Sequence, residues 1–110
     1  MCGIIGINSS KPVSSTIINS LKKLEYRGYD SAGIATLSRG EINEIKSEGR
    51  VDNLEKNSLV QSMEGTIGIG HVRWATHGLP NSINAHPHSS QNVSVAVSYT
   101  HLTLPTIDRV

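Results

Sequence analysis

TIGIGHVR, residues 66–73, sets β-branched side chains against glycines at a period of two. That is the repeat of a strand, and with no charge before its last residue the run reads as a buried one. A buried strand needs neighbours on either side. CGIIGI at 2–7 is short, isoleucine-rich and closed by the turn-forming NSSKP, so it also reads as a buried strand, with Gly3 and Gly6 permitting close backbone approach. GIATL at 33–37 and INEIKSE at 42–48 form a hairpin around SRGE at 38–41, and NVSVAV at 92–97 alternates as a further strand.

Helical signals lie between these runs. From Val13 the apolar residues fall at 13, 17, 18, 21 and 24, one helical face, with Lys22 and Lys23 placed to complement the dipole at its C-terminal end. The spacing predicts a stop near Gly28, then a polar loop, YRGYDSAG. A weaker helix is expected over Val51–Ser62, where apolar positions are sparse. RWATHGLPNSINAHPHSSQ, residues 73–91, reads as one long loop, and loops of that length in a compact domain are functional or disordered. Its tryptophan, arginine and histidines are not a disordered composition. The expectation is a mixed α/β domain with its chemistry at the strand ends.

Composition narrows the function. The 110 residues suit one domain, and the formal charge of +1, with ten Lys+Arg against nine Asp+Glu, gives no footprint for nucleic acid or an anionic membrane. With no phenylalanine the core rests on Ile, Val, Leu and Ala. The single cysteine, Cys2, cannot form an intramolecular disulfide, which suits a reducing compartment and a cytoplasmic location. Neither a signal peptide nor a run of about 18 apolar residues is present.

Cys2 directly follows the initiator methionine. If Met1 is removed, the thiol shares a residue with a free α-amine, whose ordinary pKa of about 7.7–8.0 lets it act as a base near neutrality. Nucleophile and base then come from one residue, as in N-terminal threonine nucleophiles. A competing reading takes Cys2, His71, His77, His86 and His88 as zinc ligands, but no C-x2-C or H-x3-H pair is present. Each histidine can equally be a loop residue bonded to backbone, a reading stronger for His88 and His101 than for His77. Arg73, at a strand end beside Trp74, is suited to bidentate capture of a carboxylate, the alternative being a surface ion pair. Thr76 and His77 follow on the same loop, so an amino-acid substrate is plausible.

Four motifs carry a resemblance. MCGIIGI, KKLEYRGYDSAGIA, HVRWATHG and NAHPHSS, in this order, resemble the N-terminal glutaminase domain of the glutamine:fructose-6-phosphate aminotransferases, which are class II glutamine amidotransferases. The resemblance covers about residues 1–97. It implies an α+β fold of the N-terminal-nucleophile (Ntn) hydrolase type, an αββα sandwich left incomplete here. By resemblance Cys2 is the nucleophile and its amine the general base; Arg73 binds the α-carboxylate of L-glutamine; Thr76 and His77 sit on the loop that closes over it. Trp74 lies by an ammonia channel, and Arg27 and Gly28 line the nucleophile's surroundings, more for architecture than for catalysis. No metal or organic cofactor is implied. Fructose 6-phosphate enters only through sugar-isomerase domains that this sequence lacks, and the family is homo-oligomeric.

After NVSVAV the family continues with an Asn-Gly pair that forms the oxyanion hole and later with an aspartate that holds the glutamine amine. This sequence has no Asn-Gly pair, and residues 98–110, SYTHLTLPTIDRV, form an unmatched tail in which Asp108 has no motif around it. Loss of one oxyanion donor typically costs about a hundredfold to a thousandfold in rate. The expectation is therefore a partial domain over 1–97 with little glutaminase and no aminotransferase activity. A non-catalytic glutamine-binding or regulatory module stands as the alternative.

Overall fold

A computed structural model describes residues 2–74, 83–90 and 92–96. The elements run β1 (Gly3–Asn8), α1 (Ser14–Leu24), a 3-10 turn (Glu25–Arg27), β2 (Ser31–Ser38), β3 (Glu41–Glu48), α2 (Val51–Glu55), α3 (Ser58–Gln61), β4 (Ile67–Arg73), β5 (His88–Ser89) and β6 (Ser94–Val95). Four strands form one antiparallel sheet in the order β1-β4-β2-β3. The TIGIGHVR run is thus an inner strand, as its composition predicts.

Glycine in β4 serves the helix above it. On one face Gly68, Gly70 and Val72 lie opposite Thr36, Ile34 and Ala32 of β2. A Cβ at Gly70 would fall 2.5 Å from Ile17 Cγ2, and one at Gly68 would fall 2.8 Å from Ile17 Cδ1. The bare backbone lets α1 sink Ile17 and Leu21, both fully buried, into the sheet. Val51, Leu54 and Val60 of the two short helices complete the same core. Burying apolar side chains of this size stabilises by about 1.5–3 kcal/mol each, so this layer is the main source of the fold's stability.

Several expectations need correction. The helix foreseen over 51–62 is two helices, because Asn57 leaves the helical conformation and its side chain accepts a hydrogen bond from Leu59 N at 2.9 Å, capping α3. β1 is buried on one face only: Ile4 on the other is 40% exposed, and a Cβ at Gly6 would meet nothing closer than Ile69 Cγ2 at 4.0 Å, so only Gly3 has close neighbours. β2 starts at Ser31 rather than Gly33, since pairing with Arg73 and Glu48 extends it. Of the strand foreseen over 92–97, Ser94–Val95 is strand, paired with β5 inside what reads as loop.

The second face of the sheet carries the return of that long excursion. Ala85 and Pro87 are buried, and the His86 carbonyl presses on Gly33 so closely that no Cβ could be added there. His88 Nδ1 lies 3.5 Å from Lys46 Nζ on β3, which brings the β5–β6 hairpin to this face. The layers are therefore helices, a four-stranded sheet, and the beginning of a second, two-stranded one. The tail at 98–110 lies outside the described residues.

Candidate active site

Strand pairing brings the two ends of the sequence motif together. Gly3 pairs with Val72, so Cys2, just before β1, comes alongside Arg73 and Trp74 at the end of β4. Trp74 N donates to Cys2 Sγ at 3.5 Å. The residue carrying the thiol is held from its other side, where Arg27 Nε donates to the Cys2 carbonyl at 3.0 Å. Arg27 ends the 3-10 turn, which the chain enters directly from α1.

Arg73 is 8% exposed, a charged side chain at the edge of the second face, and its carbonyl accepts from Asp30 N at 3.2 Å. Gly28 packs directly on the Arg73–Trp74 peptide. Beyond it the rings of Tyr29 and Trp74 meet edge to face at 5.9 Å, and the Arg50 guanidinium covers Tyr29 at 4.9 Å. Glu25 ties this rim to the core: its carboxylate accepts from Val51 N at 2.8 Å, at the start of α2. Of the residues singled out from sequence, Cys2, Arg27, Gly28, Arg73 and Trp74 are thus assembled at one end of the sheet. Thr76 and His77 lie outside the described residues.

The histidines form a stack. His71, fully buried on β4, faces His86 with centroids 4.4 Å apart and planes 22° off parallel, and His86 meets His88 at 4.6 Å. Burial, reinforced by the charges of His71, His88, Arg73 and Lys46, lowers the His86 pKa to about 4, so this ring is neutral at pH 7. Among the described residues no group of three His, Cys, Asp or Glu is arranged to hold a metal ion. His88, foreseen as a loop residue bonded to backbone, belongs to β5 and faces Lys46 instead, because the hairpin turns it toward the sheet.

Sequence reasoning missed Tyr29, which braces Trp74, and the crossing of Gly33 by His86. The second had a signal, since a glycine inside a strand pattern often marks a close backbone approach. Chemically the assembly offers a half-buried thiol with a backbone N–H aimed at its sulfur, a neighbouring arginine and no cofactor.

Relatives with these motifs are numerous. The glutamine--fructose-6-phosphate aminotransferase [isomerizing] of Mesorhizobium japonicum is 54% identical over 95 residues, covering 86% of this chain and 16% of the relative. That of Clostridium acetobutylicum is 53% identical over 97 residues, covering 88% and 16%. This chain belongs to the glutamine amidotransferase family represented by the N-terminal part of these aminotransferases. Among solved structures, the amidotransferase fold recurs in glutamine phosphoribosylpyrophosphate amidotransferase from B. subtilis, complexed with ADP and GMP: TM-score 0.68, 28% identity, over 86% of this chain and 20% of that one. A structure described as the allosteric regulatory enzyme of purine biosynthesis matches with TM-score 0.71 and 26% identity over 80% of this chain and 19% of its own. The α+β, Ntn-type reading thus holds for this amidotransferase chain, as an incomplete version of that fold. No family model matches the sequence. The chain spans 16% of the length of the curated relatives it matches.

Proposed function

We propose that this chain is the glutaminase part of an amidotransferase, with Cys2 as the nucleophile toward the side-chain amide of L-glutamine. The observation that carries the reading is the convergence of Cys2 Sγ, the Trp74 N–H and the Arg73 strand end at one point of the sheet. With Met1 removed, the thiol proton passes to the α-amine and the sulfur bonds to the amide carbon. The carbon–nitrogen bond then breaks, and ammonia leaves with the proton the amine returns. Water, giving its own proton to the amine, splits the resulting thioester to glutamate and restores the thiol.

Arg73 holds the α-carboxylate, because a planar guanidinium matches a carboxylate with two parallel hydrogen bonds. Thr76 and His77 enclose the substrate from the loop, and Trp74 faces the route by which ammonia departs. In the whole protein the ammonia converts fructose 6-phosphate to glucosamine 6-phosphate through domains that this chain lacks, and residues 1–97 form the glutaminase unit. The matched stretches of 95 and 97 residues support that boundary. A single thiol suits a reducing cytoplasm, and no described helix is long and apolar enough to cross a membrane.

The sequence contains no Asn-Gly pair, so turnover is expected about a hundredfold to a thousandfold below that of an intact glutaminase domain. Glutamate release from glutamine by the purified chain, compared with Cys2→Ala, measures this. The same missing pair favours a second reading, a glutamine-binding module, which predicts glutamine-dependent thermal stabilisation with no turnover above the Cys2→Ala background.

A further inference from the structure

Gly28 has an extended backbone, φ 176° and ψ 137°, which any residue adopts, so its conformation does not require glycine. Its surroundings do. A Cβ there would lie 2.5 Å from Arg73 C, 2.6 Å from Arg73 O and 2.6 Å from Trp74 N, three atoms of a single peptide group. That peptide cannot simply retreat, because Arg73 is paired with Ser31 in the sheet and its carbonyl accepts from Asp30 N. Its N–H is the group that donates to Cys2 Sγ. Arg27, one residue earlier, donates to the carbonyl of Cys2 itself. Two adjacent residues thus contact the nucleophile's residue on one side and its amide donor on the other.

We propose that Arg27 and Gly28 act as positioning residues that hold the Trp74 N–H on the Cys2 sulfur, and that this N–H stabilises the thiolate as it forms. The proposal rests on the reading of Cys2 as the nucleophile. A backbone donor fixed in place pays no reorganisation when charge appears on the sulfur, which is the condition for effective electrostatic assistance. The device is steric: the clearance at Gly28 sets how near the Arg73–Trp74 peptide comes to β1. Arg27 complements it by fixing where along that gap Cys2 sits.

The test uses the full chain with Met1 removed and two probes of the thiol, iodoacetamide and the glutamine-shaped diazoketone 6-diazo-5-oxo-L-norleucine. Gly28→Ala should slow iodoacetamide alkylation of Cys2 about tenfold at neutral pH, the size of one lost hydrogen bond to a charged group, with the deficit closing at alkaline pH. Arg27→Lys should keep more of the rate than Arg27→Ala. Gly33→Ala, equally crowded but against His86, should leave the alkylation profile unchanged in whatever fraction folds. Equal rates for Gly28→Ala and the unsubstituted chain at every pH, with unchanged circular dichroism, would overturn the proposal.

A measurement on the unsubstituted chain covers the case in which Gly28→Ala does not fold. The Trp74 amide resonance should follow ionisation of the thiol and lose that step in Cys2→Ser; an amide indifferent to pH across the thiol's titration overturns the proposal as well. Failure of the diazoketone to label a Cys2 that iodoacetamide does label, with the Trp74 amide still following the thiol, would support the positioning and overturn the glutamine reading instead.

Discussion

Cys2 is held by contacts from two different parts of the chain, and the consequences at residue scale follow from each. Removing the sulfur in Cys2→Ala should abolish glutamate release entirely, as read by a coupled glutamate assay. Arg73→Lys keeps the charge but loses the planar fork, so KM for glutamine should rise by about tenfold or more, the worth of a charge-assisted hydrogen bond, while kcat changes less. His86 makes a separate prediction. Its pKa in the folded chain is lowered to about 4, below the usual value near 6.5 of the unfolded chain, so protonation favours unfolding. The stability that neutral His86 contributes is present above about pH 6.5 and is lost as pH falls toward 4. Urea titrations at pH 7 and pH 4.5 should therefore show a loss that His86→Gln reduces. At this scale Cys2, Arg73 and Trp74 were legible because their chemistry is carried by residue type and by position relative to strand ends. Tyr29 and His86 were not, since an edge-to-face contact and a ring stack arise only when distant segments cross.

The strands and helices show where local pattern suffices and where it gives way. The two-residue periods of TIGIGHVR and INEIKSE correctly gave β4 and β3, because a half-buried strand imposes its repeat on the sequence. The break between α2 and α3 was hidden, since apolar positions at 51, 54 and 60 suit one helix, whereas the Asn57 side chain bonds its local backbone and ends it. Asn57→Ala should cost about 1 kcal/mol through loss of the cap, measured by denaturant unfolding. The tight turn between β2 and β3 places Arg39 at φ 53° and Gly40 at φ 77°. Arginine is strained there, so Arg39→Asn should stabilise the chain by about 0.5–1 kcal/mol, a rise in the urea midpoint without a change in slope. Gly70→Ala acts in the opposite direction by pushing Ile17 off the sheet, at a cost of roughly 1–3 kcal/mol.

Over the whole molecule the two faces of the sheet differ in kind. The helical face is closed around Ile17, Leu21, Ile34 and Leu54, whereas on the other face Ile4, Leu37 and Ile67 are each 40% or more exposed beside the segment that crosses Gly33. An exposed apolar sheet face should bind hydrophobic dye and drive self-association. Ile67→Lys should lower both, as read by dye fluorescence and light scattering, without moving the alkylation rate of Cys2. The layer order was legible only through the motif resemblance, because periodicity identifies strands but not which strands share a sheet. The central claim is that Cys2, presented by β1 against the end of β4, attacks the side chain of glutamine. Intact-mass analysis of the Met1-free chain after exposure to 6-diazo-5-oxo-L-norleucine tests it most directly. The account predicts one adduct, located on Cys2, slowed by added glutamine and absent in Cys2→Ser; a chain that iodoacetamide labels at Cys2 but the diazoketone leaves unmodified would contradict it.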